Sequence, residues 1–438
     1  MSALGRIYEL ATDDADASDP ATDEIAAEAV DDVPRNFSLN ALNGASTKLA
    51  EQLASPGAVL ALLIGIVGAP VAFVGLLEPV RRGASLAPQL AVSGRVRDKP
   101  RRKWYWVGAG MTQAAALVAM LVAAATLEGL AAGLAIIACL AIFAGASGVG
   151  SVAFSDVVGK TVPESKRGQM LALRATAGGA LTLTAGLALT QISSSDGLGV
   201  FLALLGVAAA LWFGAALLFA AITEPAGEPV DQRSPLEEAR AGLRAFSSFG
   251  GLRLFAAARG LLLAVELAVP FLVVFTRDQL TDANVLATVV IAIGLANLLS
   301  NYAWGRIADR ISTRLTMIAA GMLGSAAIGG ILVLGALADS GTTILAFAPV
   351  FFFATAAESG IRVGRKAWVV NAAPEQERPL WVAATNTFAG VITLGFAALG
   401  LLAQLAGVDA VIYTLLGLSL AGVAMAWLMP EDDEPAVG

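Results

Sequence analysis

The chain has no histidine and a single cysteine, Cys139. A metal centre built on imidazole or thiolate ligands is therefore excluded, as is a disulfide framework. Any group that handles protons must be a carboxylate. Charge is scarce as well. Only 14% of the 438 residues are Asp, Glu, Lys or Arg, against about a quarter in soluble domains, while 57% are hydrophobic. Apolar runs of about 20 residues recur from end to end, each long enough to cross a hydrocarbon core of roughly 30 Å as a helix. The runs are continuous rather than alternating, which excludes a membrane β-barrel. The fold class is an all-α polytopic membrane protein.

The formal net charge of −7 is concentrated in part. Asp13, Asp14, Asp16, Asp19, Asp23, Glu24, Glu28, Asp31 and Asp32 crowd the N-terminal segment. That segment has no basic start followed by an apolar stretch, so it does not read as a signal peptide. Residues 1–37 are expected to be an acidic, disordered tail.

Strong membrane segments fall at 104–126, 130–154, 169–192, 199–222, 250–276, 284–305, 315–336, 342–361, 380–405 and 408–429. The region before residue 94 is settled by an internal repeat. Gly94 and Gly305 lie 211 positions apart, and so do Asp98 and Asp309, and Pro163 of PESKR and Pro374 of PEQER. Three similarities in one register indicate a duplicated unit. Carried back by the same offset, the segments 250–276 and 284–305 predict helices near 38–64 and 70–94. GIVGAP (65–70), with two glycines and a proline, is then a turn. Twelve helices in two halves result: 38–222 and 250–429, joined by a polar linker at 223–249, with a short acidic tail at 430–438.

Basic residues gather in alternate loops. Arg95 to Lys103, Lys160 to Arg167, Arg233 to Arg244, Arg306 to Arg314 and Arg362 to Arg378 lie on one side, against Arg277 alone on the other. By the positive-inside bias both termini are cytoplasmic, in a plasma (inner) membrane.

The repeated loop, GRVRDKPRRK at 94–103 and GRIADRISTR at 305–314, resembles the signature loop of the major facilitator superfamily, G-x-x-x-D-(R/K)-x-G-(R/K)-(R/K). Gly94, Asp98, Lys99, Arg102 and Lys103 match in the first half, and Gly305, Asp309, Arg310 and Arg314 in the second. The inner glycine is replaced by Arg101 and Ser312. The resemblance implies a six-plus-six transporter fold in which helices 1, 4, 7 and 10 line a central cavity. It also implies that the two loops act as cytoplasmic latches in alternating access. The bland alternative is that their basic residues only fix orientation. That accounts for the Lys and Arg but not for the repeated Gly-x-x-x-Asp.

Charges inside membrane segments are costly, about 2.5–3.5 kcal/mol each on the lenient scale, and mark functional positions. Lys48, Glu51, Arg81, Arg82 and Arg259 are the candidate substrate-binding residues. Lys48 and Arg259 are themselves 211 apart, which puts one cation at the same place in each half. Glu266, Glu358 and Glu78 are the candidates for proton coupling. Glu78 can also neutralise Arg81 or Arg82 at helical spacing, making a structural cluster instead. Arg174, Arg253 and Arg362 are expected to snorkel. Asn297, Asn301 and Asn386 serve equally well as interhelical hydrogen bonds.

GKT at 159–161 lacks the glycine a phosphate loop needs five positions earlier, where Phe154 stands, so ATP is not the direct energy source. An intramembrane enzyme is disfavoured, with no histidine, no paired cysteine and no compact polar motif. The expected function is a secondary active transporter, proton-coupled, for an anionic, zwitterionic or amphipathic solute. The alternative is a receptor or assembly protein that keeps the fold. Expected partners are the bilayer, the solute and protons. No cofactor, metal or nucleic acid is expected, and the chain is expected to be a monomer.

Overall fold

The computed structural model describes residues 3–12, 30–97, 99–191, 197–226, 250–280, 285–338, 342–372 and 378–430. Among them, eleven helices are long and apolar enough to cross a membrane. The first half supplies Val33–Ile66, Lys103–Thr126, Gly129–Thr161, Glu164–Leu189 and Leu198–Ala220, which are crossings one, three, four, five and six. Crossing two is Val74–Arg97. At 24 residues it is about 36 Å long, enough to span, but Glu78, Arg81 and Arg82 strip it of apolar character. Crossings seven to ten are Gly250–Gln279, Val285–Arg310, Thr313–Leu337 and Ile344–Ala372. Crossing eleven runs from Arg378 to Ala406 and crossing twelve is Val408–Trp427.

The two halves pack alike. Crossing three lies against four and six, two against four, and one against six; likewise nine lies against ten and twelve, eight against ten, and seven against twelve. The turn between crossings one and two falls at 67–70, where Gly68 takes a positive φ of 69°. No β-carbon is tolerated cheaply at such an angle.

Two crossings break at equivalent depths. Crossing one stops at Leu53 and resumes in a π-turn at Pro56–Leu60. Crossing seven stops at Glu266 and resumes at Val269, with Pro270 in its new first turn. Proline cannot donate its missing N–H and clashes with the preceding turn, so each helix must restart there. Paired interruptions in the two halves of a repeat are the structural mark of a midplane binding site.

Three expectations need correction. The N-terminal segment is not wholly without structure: Ala3–Thr12 is a helix. Tyr8 is buried edge-on to Phe37, with ring centroids 5.2 Å apart, and Ser38 Oγ donates to the Leu4 carbonyl at 2.6 Å. The apolar contact and the tertiary hydrogen bond anchor it, while the acidic stretch 13–29 lies outside the described residues. Crossing one begins at Val33 rather than residue 38, because Pro34 suits a first helical turn and Val33 and Phe37 are buried. Crossings four and ten run about two and three turns past their expected ends, since no proline stops them before Pro163 and Pro374.

Candidate functional site

Between the halves lies a cavity of about 880 Å³, lined from both sides. Lys48, Glu51, Glu78, Arg81, Arg82, Arg259, Glu266 and Glu358 all line it. Thus the candidate binding and coupling residues come from crossings one, two, seven and ten and converge on one space.

Arg82 is the hub of their pairing. Its Nε lies 3.2 Å from Glu78 Oε2, one helical turn away. Its Nη1 meets Glu266 of crossing seven in a short charged hydrogen bond, and Nη2 lies 3.7 Å from Glu358 of crossing ten. One guanidinium therefore joins the two halves through two carboxylates, a use to which its fixed fork of donors is suited. Glu266 is only 5% exposed. A separate set closes within the first half. Arg81 pairs with Glu51 at 3.3 Å, Lys48 lies 3.6 Å from the same carboxylate, and the Arg81 guanidinium stands 5.1 Å from the Phe143 ring centroid. Glu78 thus neutralises Arg82 rather than Arg81.

Arg259 behaves differently. It donates Nη2 to Asn386 Oδ1 at 2.9 Å, and no carboxylate among the described residues is within ion-pairing distance. Asn386 is a cavity residue as well as an interhelical partner, and Asn297 lines the cavity too. The side chain of Asn301 lies outside the described set.

Arg362 does not snorkel away. It lines the cavity with Arg365 and Lys366, pairs with Glu358 at 3.7 Å and donates to Ser359 Oγ at 2.9 Å. Hydropathy ended crossing ten at residue 361 and left Arg365 and Lys366 to a loop. The legible signal was their spacing: 362, 365 and 366 follow the i, i+3, i+4 pattern of one helix face. Arg174 is not at a lipid edge either. It stacks on Phe154 at 4.4 Å and donates to the Asn40 carbonyl at 2.9 Å, pinning crossing five to one. In total seven basic and four acidic side chains line the cavity.

The latch residues fall on the side of the termini. Asp98 lies outside the described residues, as does the side chain of Asp309, and Gly94 lies in the last turns of crossing two. Lys99 and Arg310 are exposed. Arg102 pairs with Asp156 of crossing four at 3.0 Å. Buried Glu224, just past crossing six, accepts the backbone N–H groups of Arg102 and Lys103 at 2.9 and 2.7 Å and pairs with Lys160 at 3.0 Å. Arg314 donates to the Met429 carbonyl at 2.8 Å. These contacts hold each loop to its own half. A β-carbon at Gly305 would meet nothing within 4 Å, so no close helix approach requires that glycine here.

Among the described residues the halves meet on the side opposite the termini. The outer pieces of crossings one and seven touch there, as do the start of crossing two and the second piece of crossing eleven. Gly75 and Gly400 pack backbone to backbone. The inner piece of crossing one packs on helices of its own half, and so does that of crossing seven.

Residues 254–438, nearly all of the second half, match the family model for the Major Facilitator Superfamily. The match places the likeness to that superfamily in the second half of the chain. The fold of solved transporters extends over both halves. A solved POT family transporter in complex with a thioalcohol-conjugated peptide superposes with a TM-score of 0.68 over 93% of this chain and 98% of its own, at 11% identity. The nucleoside transporter NupG gives 0.70 over 89% and 99% at 14% identity, and a POT family transporter in complex with 5-aminolevulinic acid gives 0.66 over 90% and 95% at 11%. At such identities the likeness is one of fold. No curated protein matches the chain.

Proposed function

We propose that this protein is a secondary active transporter of the Major Facilitator Superfamily kind, which carries a small anionic solute by alternating access, coupled to protons. Both termini face the cytoplasm on this reading, so the cavity is open inward. The observation that carries the proposal is the cavity itself. It sits between two halves of one repeat, it is lined by seven cations and four carboxylates, and its halves are tied together through Arg82. A receptor that kept only the fold would have no use for so many charges at a cost of a few kcal/mol each.

Coupling follows from competition for Arg82. A bound anion that draws the guanidinium away leaves Glu266 and Glu358 facing the same space without their shared counter-ion. Two carboxylates so placed cannot both stay ionised cheaply, and they take up a proton between them. Solute and proton then move together, and their release lets the Arg82 pairs reform.

The test is a thermal-stability screen of purified protein with small anions, zwitterions and amphipathic cations, followed by flux in proteoliposomes. A solute at 100 times its dissociation constant stabilises the folded state by about 2.7 kcal/mol. Anions are expected to be the hits, and an inward proton gradient is expected to drive their uptake. With Glu266→Gln and Glu358→Gln together, binding should persist while the gradient loses its effect. Hits confined to amphipathic cations would overturn the solute class, and uptake indifferent to the gradient would overturn the coupling.

A further inference from the structure

Among the described residues every carboxylate in the cavity has a cation, but three of the cations have no carboxylate. Glu51, Glu78, Glu266 and Glu358 are all ion-paired. Arg259, Arg365 and Lys366 make no ion pair among the described residues, and all three belong to the second half. Arg259 is 8% exposed, and its Nε is buried without a hydrogen-bond partner; the Nε of Arg365 is in the same condition. Arg259 feels repulsion from Arg365 and Arg82 against attraction from the more distant, Arg82-paired Glu266, and Lys366 feels Arg365 and, from across the cavity, Lys48. Arg365 is half-buried and Lys366 exposed, so the penalty of an uncompensated buried charge falls on Arg259 above all. Such a cluster is stable in company with an anion that supplies what the protein withholds.

The shape of the cluster narrows that anion. Arg365 and Lys366 are successive residues on one helix, so their side chains leave it about 100° apart. Arg259 approaches from a second helix. A planar carboxylate offers two oxygens in one plane, whereas a phosphoryl group offers three strong acceptors in a tetrahedral spread and nearly two negative charges. Guanidinium forks match such an oxyanion bidentately, and a lysine adds a point charge. Asn386 gives its oxygen to Arg259, so its amide nitrogen remains to donate. We propose that Arg259, Arg365 and Lys366, with Asn386, form a subsite for a compact dianionic oxyanion, a phosphoryl group either free or as a monoester. The inference rests on the reading of this cavity as an anion carrier's.

The experiment measures binding of methyl phosphate, inorganic phosphate, sulfate, succinate and acetate to the purified full chain by calorimetry. A phosphate monoester loses its second proton near pH 6, so methyl phosphate should bind roughly tenfold more weakly at about pH 5 than at about pH 7.5. Sulfate, a dianion throughout, should show no loss of affinity at the lower pH, and proton uptake by Glu266 and Glu358 would if anything tighten it there. Arg259→Gln and Arg365→Gln should each weaken both dianions at least tenfold. The same variants should leave the melting temperature of the ligand-free protein unchanged or raised, because each removes an unpaired cation, and that readout separates lost binding from lost folding. Acetate or succinate binding as tightly as methyl phosphate would overturn the dianionic-oxyanion class and leave the anion carrier standing. Dianion binding unaffected by either variant would overturn the placement of the subsite. Binding of none of these anions would overturn the subsite, and the anionic solute class would fall with it if the wider screen also found no anion.

Discussion

At the scale of the residue, Arg82 decides how the site is wired. Its guanidinium serves Glu78 on its own helix and Glu266 and Glu358 on the other half. Replacing it with glutamine strands buried Glu266 and leaves Glu358 with Arg362 alone. The expected cost is about 1–3 kcal/mol, since the cavity admits water to part of the network. Glu266→Gln alone should cost a similar amount. The double variant should cost clearly less than the sum, because neither charge is then left without a partner. Chemical denaturation of the four proteins measures the coupling, and strict additivity would mean that the pair carries no energy across the halves. Much of this was legible. Lys48, Arg81, Arg82, Arg259, Glu266 and Glu358 stand out as charges in apolar segments, and each lines the cavity. Which carboxylate answers which arginine was not legible, because Glu266 lies 184 positions from Arg82 and only the packing of two halves brings them together. Arg365 and Lys366 were hidden for a related reason. Charges that face a watery cavity lower local hydropathy, and that drop is also how a helix end looks in sequence.

At the scale of the element, the repeat recovered what hydropathy alone obscured. Crossing two is too polar to be counted by composition, yet its partner 211 residues on is plainly a membrane helix. The breaks in crossings one and seven were only half visible. Pro56 and Pro270 mark them, but GIVGAP competed as the nearer interruption and proved to be the interhelical turn. Crossings two and eleven meet through their backbones. A β-carbon on Gly400 would lie 2.1 Å from the Ala72 carbonyl oxygen, and one on Gly75 would lie 2.2 Å from the Gly400 nitrogen. Backbone cannot yield as a side chain can, so Gly400→Val must push the two helices apart on the side opposite the termini. The expected result is a shift toward the conformation open on that side. In a Cys139→Ala background, a cysteine at cavity-lining Val269 should react faster with an impermeant thiol reagent added there. An unchanged rate would show that this glycine contact does not hold the far side closed.

At the scale of the whole molecule, the interface between the halves is asymmetric. Crossings five and eight run together toward the side opposite the termini, where Gly186 abuts Ile291 and Gly294 abuts Leu183. Alternating access requires that this seam part when the terminal side closes, because packed interfaces switch between discrete arrangements rather than deform continuously. The seam can be locked. A β-carbon at Gly186 would stand 3.3 Å from the Ile291 α-carbon, which brings the β-carbons of paired cysteines into reach of the 3.5–4.5 Å a disulfide requires. In the Cys139→Ala background, Gly186→Cys with Ile291→Cys should cross-link on oxidation and abolish solute flux, and reduction should restore it. Solute binding from the terminal side should survive the cross-link, since the cavity on that side is untouched. Flux that continues through the cross-link would mean that the halves do not rock about this cavity, and solute would then have to pass by a route that leaves the seam shut.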